Sequence, residues 1–175
     1  LKGALAISIG LLDGKQYAED IRKDIDNIST QRTQGHLAIA LALLNDQNSI
    51  PTIRELVRKR GDIGRRTTAA IALGMLRDRE AISLLEDVMD KSSNSKAILG
   101  SATVAMGHIG DRSAVPILSN ILKNRKDHQD MTRAFATVAL GYLGDKDDIP
   151  LLSKIHEHCN YMAPTESLSE ILTIL

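Results

Sequence analysis

The sequence predicts an all-α protein: a right-handed α-α superhelix, or α-solenoid, of about five short helical hairpins and a C-terminal helix. Three observations lead to this prediction. An eight-residue pattern recurs every 32 to 34 residues, and most copies are followed by a second stretch with apolar residues at helical spacing. Aromatic residues are scarce, with three Tyr, one Phe and no Trp in 175 residues, which disfavours a core built on aromatic rings.

The repeated pattern aligns in five copies without gaps, starting at residues 7, 39, 71, 104 and 138. A unit of this length is one helical hairpin, too small to bury its apolar face alone, so neighbouring units have to stack. We therefore interpret 1–175 as a single repeat domain with units 1–30, 31–61, 62–93, 94–126 and 127–160 and a terminal helix over 164–175. In order, the copies read ISIGLLDG, IALALLND, IALGMLRD, VAMGHIGD and VALGYLGD.

Each copy lies in an Ala-rich first helix of its unit, called helix A below. The fourth position of the copy is small, and it is occupied by Gly10, Ala42, Gly74, Gly107 and Gly141. Gly inside a helix costs about 1 kcal/mol relative to Ala, so a packing gain has to offset it. We expect the missing side chain to let helix A approach a neighbouring helix closely.

The turn after helix A is marked by an acidic column and a Pro column. We expect each carboxylate to accept backbone N–H groups at the start of the second helix, called helix B. Pro five residues later fits the first turn of that helix, where N–H groups lack intrahelical partners. Two of the predicted B helices run from Ile50 to Arg60 and from Ala81 to Lys91. The columns are Asp46, Asp78, Asp111 and Asp145, and Pro51, Pro116 and Pro150, with Ser83 in the third unit.

The fifth unit carries the run ALGYLGDKDDIPLL, which resembles the HEAT-like repeat of the phycobilisome-lyase-like family. The resemblance covers about Ala4 to Asn160. It implies that the B helices line a concave face that binds a partner, with the A helices on the convex back. The tetratricopeptide repeat has a similar period, but its Pro ends the second helix, whereas here Pro opens helix B.

Some relatives of this kind are iron hydroxylases or bilin lyases. The His-Glu pairs with which those hydroxylases open successive A helices are absent here, because the corresponding positions begin Gly35-His36, Thr67-Thr68 and Gly100-Ser101. No lyase-specific residue is present either. We therefore predict no catalytic residues, no cofactor and no enzymatic activity.

The sequence has one cluster of residue types that ligate zinc, from His156 to Cys159. Alternate residues of a helix point about 200° apart, so His156 and His158 do not share one ion while the helix continues. We predict no metal site there.

The charge balance bears on the partner. Lys plus Arg equals Asp plus Glu at 22 each, so no global field attracts nucleic acid or an anionic membrane. We expect no nucleic-acid partner and, because the apolar runs are far shorter than about 20 residues, no membrane insertion. A local basic cluster is the exception, with two interpretations: a site for a phosphate or an acidic peptide, or a solvated face. Its members are Arg54, Arg58, Lys59, Arg60, Arg65 and Arg66.

Two further expectations concern the whole protein. The single Cys159 and the absence of a signal or membrane segment predict a cytoplasmic location. A first residue of Leu1 that opens directly into an apolar stretch suggests a fragment of a longer chain.

Outward positions of the B helices alternate in sign through Asp26, Arg58, Asp90, Lys123 and Glu157, which predicts a ladder of ion pairs between units. The predicted function is a non-enzymatic scaffold that binds a protein or peptide through the B helices. The alternatives are an accessory module of an enzyme, such as a bilin lyase, and a nucleic-acid-binding helical repeat. The candidate partner-binding residues are Arg22, Arg54, Glu55, Arg58, Glu86, Asp87, Asn120, Lys123, Lys154 and Glu157.

Overall fold

The computed structural model describes residues 1–92, 95–123 and 130–144. Within these ranges the chain forms α-helices and short turns and no β-strand, so the predicted all-α class is confirmed. Short 3₁₀ turns at Lys15–Tyr17 and Gln47–Ser49 precede the second and fourth helices. The helices are α1 Lys2–Leu11, α2 Ala18–Asn27, α3 Gln31–Leu43, α4 Ile50–Arg58, α5 Ile63–Met75, α6 Ala81–Lys91, α7 Lys96–Ile109, α8 Ala114–Lys123 and α9 Asp130–Gly144.

The helices alternate between two roles. The odd-numbered helices are the A helices of the predicted units, and each packs against the next A helix along the chain. Each even-numbered helix B packs mainly against the A helix that follows it. This consecutive packing within the compact unit Leu1–Gly144 agrees with an α-solenoid of helical hairpins. The predicted fifth helix B and the terminal helix lie outside the described residues.

The close approach predicted for the small fourth position is confirmed in three units. A Cβ built on Gly74 would lie 2.8 Å from the Cα of Ala105, and one built on Gly107 would lie 2.9 Å from the Cα of Ala139. At Gly10 the added atom would lie 3.0 Å from the backbone oxygen of Ala40. In each case the fourth position of one copy meets the second position of the next copy, where the residue is Ala.

A second column of small residues, which was not predicted to form close contacts, lies seven positions earlier in the units. A Cβ on Gly35 would lie 3.3 Å from the Cα of Arg65, and one on Gly100 would lie 3.2 Å from the ring of Phe135. At Gly3 the nearest atom is Nδ1 of His36, at 2.6 Å. Because seven residues make about two helical turns, the two columns hold successive A helices close along much of their length.

In each of the first four units, helix A is followed by a residue with left-handed backbone conformation. Asp13, Asn45 and Arg77 all have φ of 54°, and Gly110 has φ of 70°. Non-Gly residues adopt this region at a cost of roughly 1–2 kcal/mol, with Asn and Asp tolerating it best. The recurrence of one backbone conformation at one position supports the alignment of the repeats.

The predicted B helices agree with the structure apart from one end. Helix α6 spans Ala81–Lys91 as predicted, and Pro51 lies in the first turn of α4. Helix α4 ends at Arg58 and not at Arg60, because the backbone leaves the helical region at Lys59, where ψ is 122°.

Candidate partner-binding surface

Ion pairs tie helix B of one unit to the turn of the next. The Nε of Arg54 donates to Oδ2 of Asp78 at 2.6 Å, and its Nη1 donates to Oε2 of Glu80 at 2.9 Å. The hydrogen bond with Asp78 is the main reason that the pKa of Arg54 is raised. One unit earlier, Nε of Arg22 lies 3.1 Å from Oδ2 of Asp46. Both pairs join residues 24 positions apart, so they are one repeated contact.

Two members of the Asp column, Asp46 and Asp78, therefore do not have the predicted capping role. Asp111 does accept the backbone N–H of Ser113 at 2.9 Å, as expected of a capping residue. The side chains of Asp46 and Asp78 accept no such bond at the start of helix B and instead face the Arg of the preceding unit. A buried carboxylate is satisfied best by a guanidinium, which is charged and supplies several N–H groups at once.

The third junction departs from this pattern. Glu86 occupies the position of Arg22 and Arg54 in helix α6, so the carboxylate of Asp111 has no Arg in the corresponding place. Instead, Nε of Arg79 lies 3.5 Å from Oδ2 of Asp111. The tie between the third and fourth units therefore runs from turn to turn.

The predicted ladder of outward charges is wrong for the residues that the structure describes. Arg58 pairs with Glu55 in its own helix, and Asp26, Asp90 and Lys123 make no ion pair with Arg58 or with one another. Residues three or four positions apart on one helix are close neighbours, and such pairs form at lower entropic cost than pairs between helices. Glu157 lies outside the described residues.

A side chain of helix A also caps the end of the preceding helix B, and this contact recurs in three units. Gln34 donates from Nε2 to the carbonyl oxygens of Ile25 and Ile28, at 3.2 and 3.0 Å. At the equivalent position one unit later, Nε of Arg66 donates to the carbonyl of Val57 at 3.1 Å. Arg133 donates to a helix α8 carbonyl, that of Leu122, at 3.4 Å. Carbonyls at a helix C-terminus lack intrahelical partners, and these side chains satisfy some of them.

The structure divides the candidate partner-binding residues into two groups. Arg22 and Arg54 are partly buried in the ties just described, with side chains 33% and 22% exposed. The others that the structure describes are exposed on α4, α6 and α8, whereas Lys154 and Glu157 lie outside the described residues. The exposed group comprises Glu55, Arg58, Glu86, Asp87, Asn120 and Lys123.

A groove opens between the end of α4 and helix α6. Its volume is about 560 Å³. Part of the predicted basic cluster lines it, whereas Arg65 is 5% exposed and its Nη2 donates to the carbonyl of Lys59 at 2.8 Å. Lys91 and Ser92 lie one helix further along the chain than the basic cluster, so its sequence pattern did not indicate them. The lining residues are Arg58, Arg60, Arg66, Leu84, Asp87, Val88, Lys91 and Ser92.

Within 1–92, 95–123 and 130–144, no three His, Cys, Asp or Glu side chains come together as a metal ion would require. None of the helices in those ranges combines the length and apolar character needed to cross a bilayer. The cluster from His156 to Cys159 lies outside the described residues.

The fold and the repeated contacts place the chain among helical-repeat proteins of the α-solenoid class. Residues 26–102 match the family model of HEAT repeats, which supports the interpretation as a HEAT-repeat protein. No curated protein matches the chain. The resemblance to the phycobilisome-lyase-like subfamily stays a prediction.

Proposed function

We propose that the chain is a non-enzymatic scaffold that binds a protein or peptide through the exposed face of its B helices. HEAT repeats commonly mediate protein–protein interactions. What supports the proposal in this chain is the contrast between its two layers. Successive A helices pack against one another through their small residues. Each of the four B helices that the structure describes exposes polar side chains.

The exposed side chains are the observation that carries the proposal. Glu55, Glu86 and Asp87 are exposed at successive B helices, and none of them is needed for the ties between units. The cations Arg58 and Lys123 are exposed on α4 and α8 as well. A surface of mixed charge favours specific recognition of a partner more than bulk attraction. The expectation that this face is concave came from the resemblance alone, and the proposal does not depend on it.

Site-specific photo-crosslinking tests this function. A photoreactive amino acid is placed at Glu55, at Glu86 and, as a control, at exposed Thr137 on α9, and each protein is irradiated in an extract of the source cells. We expect one protein to be captured from both B-helix positions and not from Thr137, and to bind the purified chain directly. Capture of nothing at Glu55 and Glu86, or of the same proteins at all three positions, would contradict the proposal.

A further inference from the structure

The groove between α4 and α6 has an excess of positive charge. Four of its lining residues are cations, Arg58, Arg60, Arg66 and Lys91, and one is a carboxylate, Asp87. Glu55 lies 2.5 Å from Arg58, and Asp87 lies 2.6 Å from Lys91. Arg60 and Arg66 make no ion pair with any described residue. Two unneutralised guanidinium groups therefore line one cavity.

Arg66 is held in place before any ligand arrives. Its Nε donates to the carbonyl of Val57 at 3.1 Å, and its Nη1 donates to Oγ of Ser92 at 3.3 Å. Partial burial lowers its pKa, and the nearby charges of Arg60 and Arg65 lower it further. A negatively charged ligand would offset that burial and that repulsion, and a side chain already ordered loses little entropy on binding.

The groove also has apolar lining. Leu84 is 8% exposed and Val88 is 4% exposed, and both contribute to its wall. A volume of about 560 Å³ is many times the roughly 30 Å³ of one water molecule. The groove therefore suits a ligand that combines acidic and apolar groups more than a bare inorganic ion.

We propose that this groove binds an acidic peptide segment of a protein partner, with carboxylates against Arg60 and Arg66 and an apolar side chain against Leu84 and Val88. The proposal rests on the scaffold function and names the chemistry of the partner. A polyanion such as a nucleic acid fits less well, because helix α6, which lines the groove, also exposes the carboxylates of Glu86 and Asp90, which would repel a long run of phosphates. None of the described residues that line the groove is aromatic, so bases would have no ring on which to stack.

The test is fluorescence anisotropy with a labelled peptide of Glu and Gly residues around one central Leu. The same peptide with Gln in place of Glu is the control ligand, and labelled oligothymidylate represents nucleic acid. We expect the Glu peptide to bind, the Gln peptide to bind at least about tenfold more weakly, and oligothymidylate not to compete.

Arg66→Gln removes the charge and keeps a capping amide, because Gln34 fills the equivalent position in the preceding unit. It should weaken binding of the Glu peptide about tenfold. Arg77→Gln makes the same charge change at an exposed residue beyond the other end of α5 and should leave binding unchanged. Should Arg66→Gln fail to fold, Arg60→Gln serves instead, because the exposed Arg60 side chain makes no hydrogen bond with the described residues.

Equal affinity for the Glu and Gln peptides, unchanged binding in the Arg variants, or displacement of the peptide by oligothymidylate would each overturn the acidic-peptide proposal. The scaffold function is judged separately by crosslinking at Glu55 and Glu86. If those positions still capture a partner while the Glu peptide fails to bind, the scaffold stands and the acidic occupant of the groove is rejected.

Discussion

Arg54 in helix α4 and Asp78 in the turn before α6 form an ion pair with two hydrogen bonds that joins two successive repeats. The carboxylate side is almost fully buried, with 4% of the Asp78 side chain exposed, whereas 22% of the Arg54 side chain is exposed. Arg22 and Asp46 form the corresponding ion pair one unit earlier, with 3.1 Å between Nε and Oδ2 but without hydrogen-bond geometry. A polar contact is thus built into the repeat alongside the apolar packing.

Replacement of Asp78 tests the contribution of this pair. Asp78→Ala leaves the partly buried guanidinium of Arg54 with only Glu80, so we expect the free energy of unfolding to fall by about 1–3 kcal/mol. Urea denaturation followed by circular dichroism measures the change. Glu80→Ala is the matched control, because Glu80 contacts the same Arg but is 80% exposed, and it should cost less than about 1 kcal/mol. Equal losses in the two variants would show that burial of Asp78 is unimportant.

Gly74 tests the close contact between A helices. A methyl group there would lie 2.8 Å from backbone Cα of Ala105, so Gly74→Ala should destabilise by about 1–3 kcal/mol although Ala is the better helix former. Gly74→Leu should destabilise more. The control is Gly141→Ala, where no atom of the described residues lies within 4 Å of the added atom and a gain of up to about 1 kcal/mol is expected. Melting temperatures are measured by calorimetry. A shift in the same direction in both Ala variants would contradict the close contact at Gly74.

The left-handed conformation after helix A is tested by two opposite substitutions at equivalent positions of neighbouring units. Arg77 is exposed with φ of 54°, so Arg77→Gly should relieve strain and stabilise the protein by about 0.5–1 kcal/mol, net of the greater freedom of Gly in the unfolded chain. Gly110→Arg places the same side chain at the equivalent position of the next unit and should destabilise by about 1 kcal/mol. Chemical denaturation curves that shift in the same direction for both would argue against a common turn.

Gln34 tests the cap that joins helix A to the preceding helix B. Gln34→Ala removes hydrogen bonds to two carbonyl groups at the end of α2, and we expect a loss of about 1 kcal/mol. Amide exchange near Ile28 should accelerate as the helix end frays. Arg32→Ala, at an exposed position of the same helix, is the control, and a change of similar size there would show that the effect of Gln34→Ala is unrelated to capping.

Much of the fold was predictable because its signals are local and repeated. Gly74 and Gly107 predict a close helix contact, since a Gly inside a helix is unfavourable unless packing requires it. Pro51 marks the start of α4 for an equally local reason. Repetition at intervals of 32 to 34 residues then makes each weak signal specific.

The errors arose where a side chain has partners in two directions. Asp46 and Asp78 lie at a position of the turn where a carboxylate could cap helix B. Each carboxylate instead forms an ion pair with an Arg 24 residues earlier in the chain. Arg58 was expected to pair with the next unit, whereas Glu55 is nearer on the same helix. The basic residues on one side of the groove were predicted as a cluster, but the contribution of α6 was not. Lys91 and Arg66 line the same groove because of how α6 packs, which no local sequence pattern encodes.

Removal of one complete repeat tests the central claim, that the chain is a stack of equivalent hairpins. Deletion of residues 39–70 joins Ala38 to Ile71 in register, so Gly10 would meet Ala72 and Arg22 would pair with Asp78. These contacts reproduce those that Gly10 and Arg22 make at the first junction. We predict that this shorter chain keeps its helical circular dichroism signal per residue and unfolds cooperatively, whereas deletion of 39–66, which breaks the register, does not fold. Loss of folding in the in-register deletion, or equal folding of both, would contradict modular stacking.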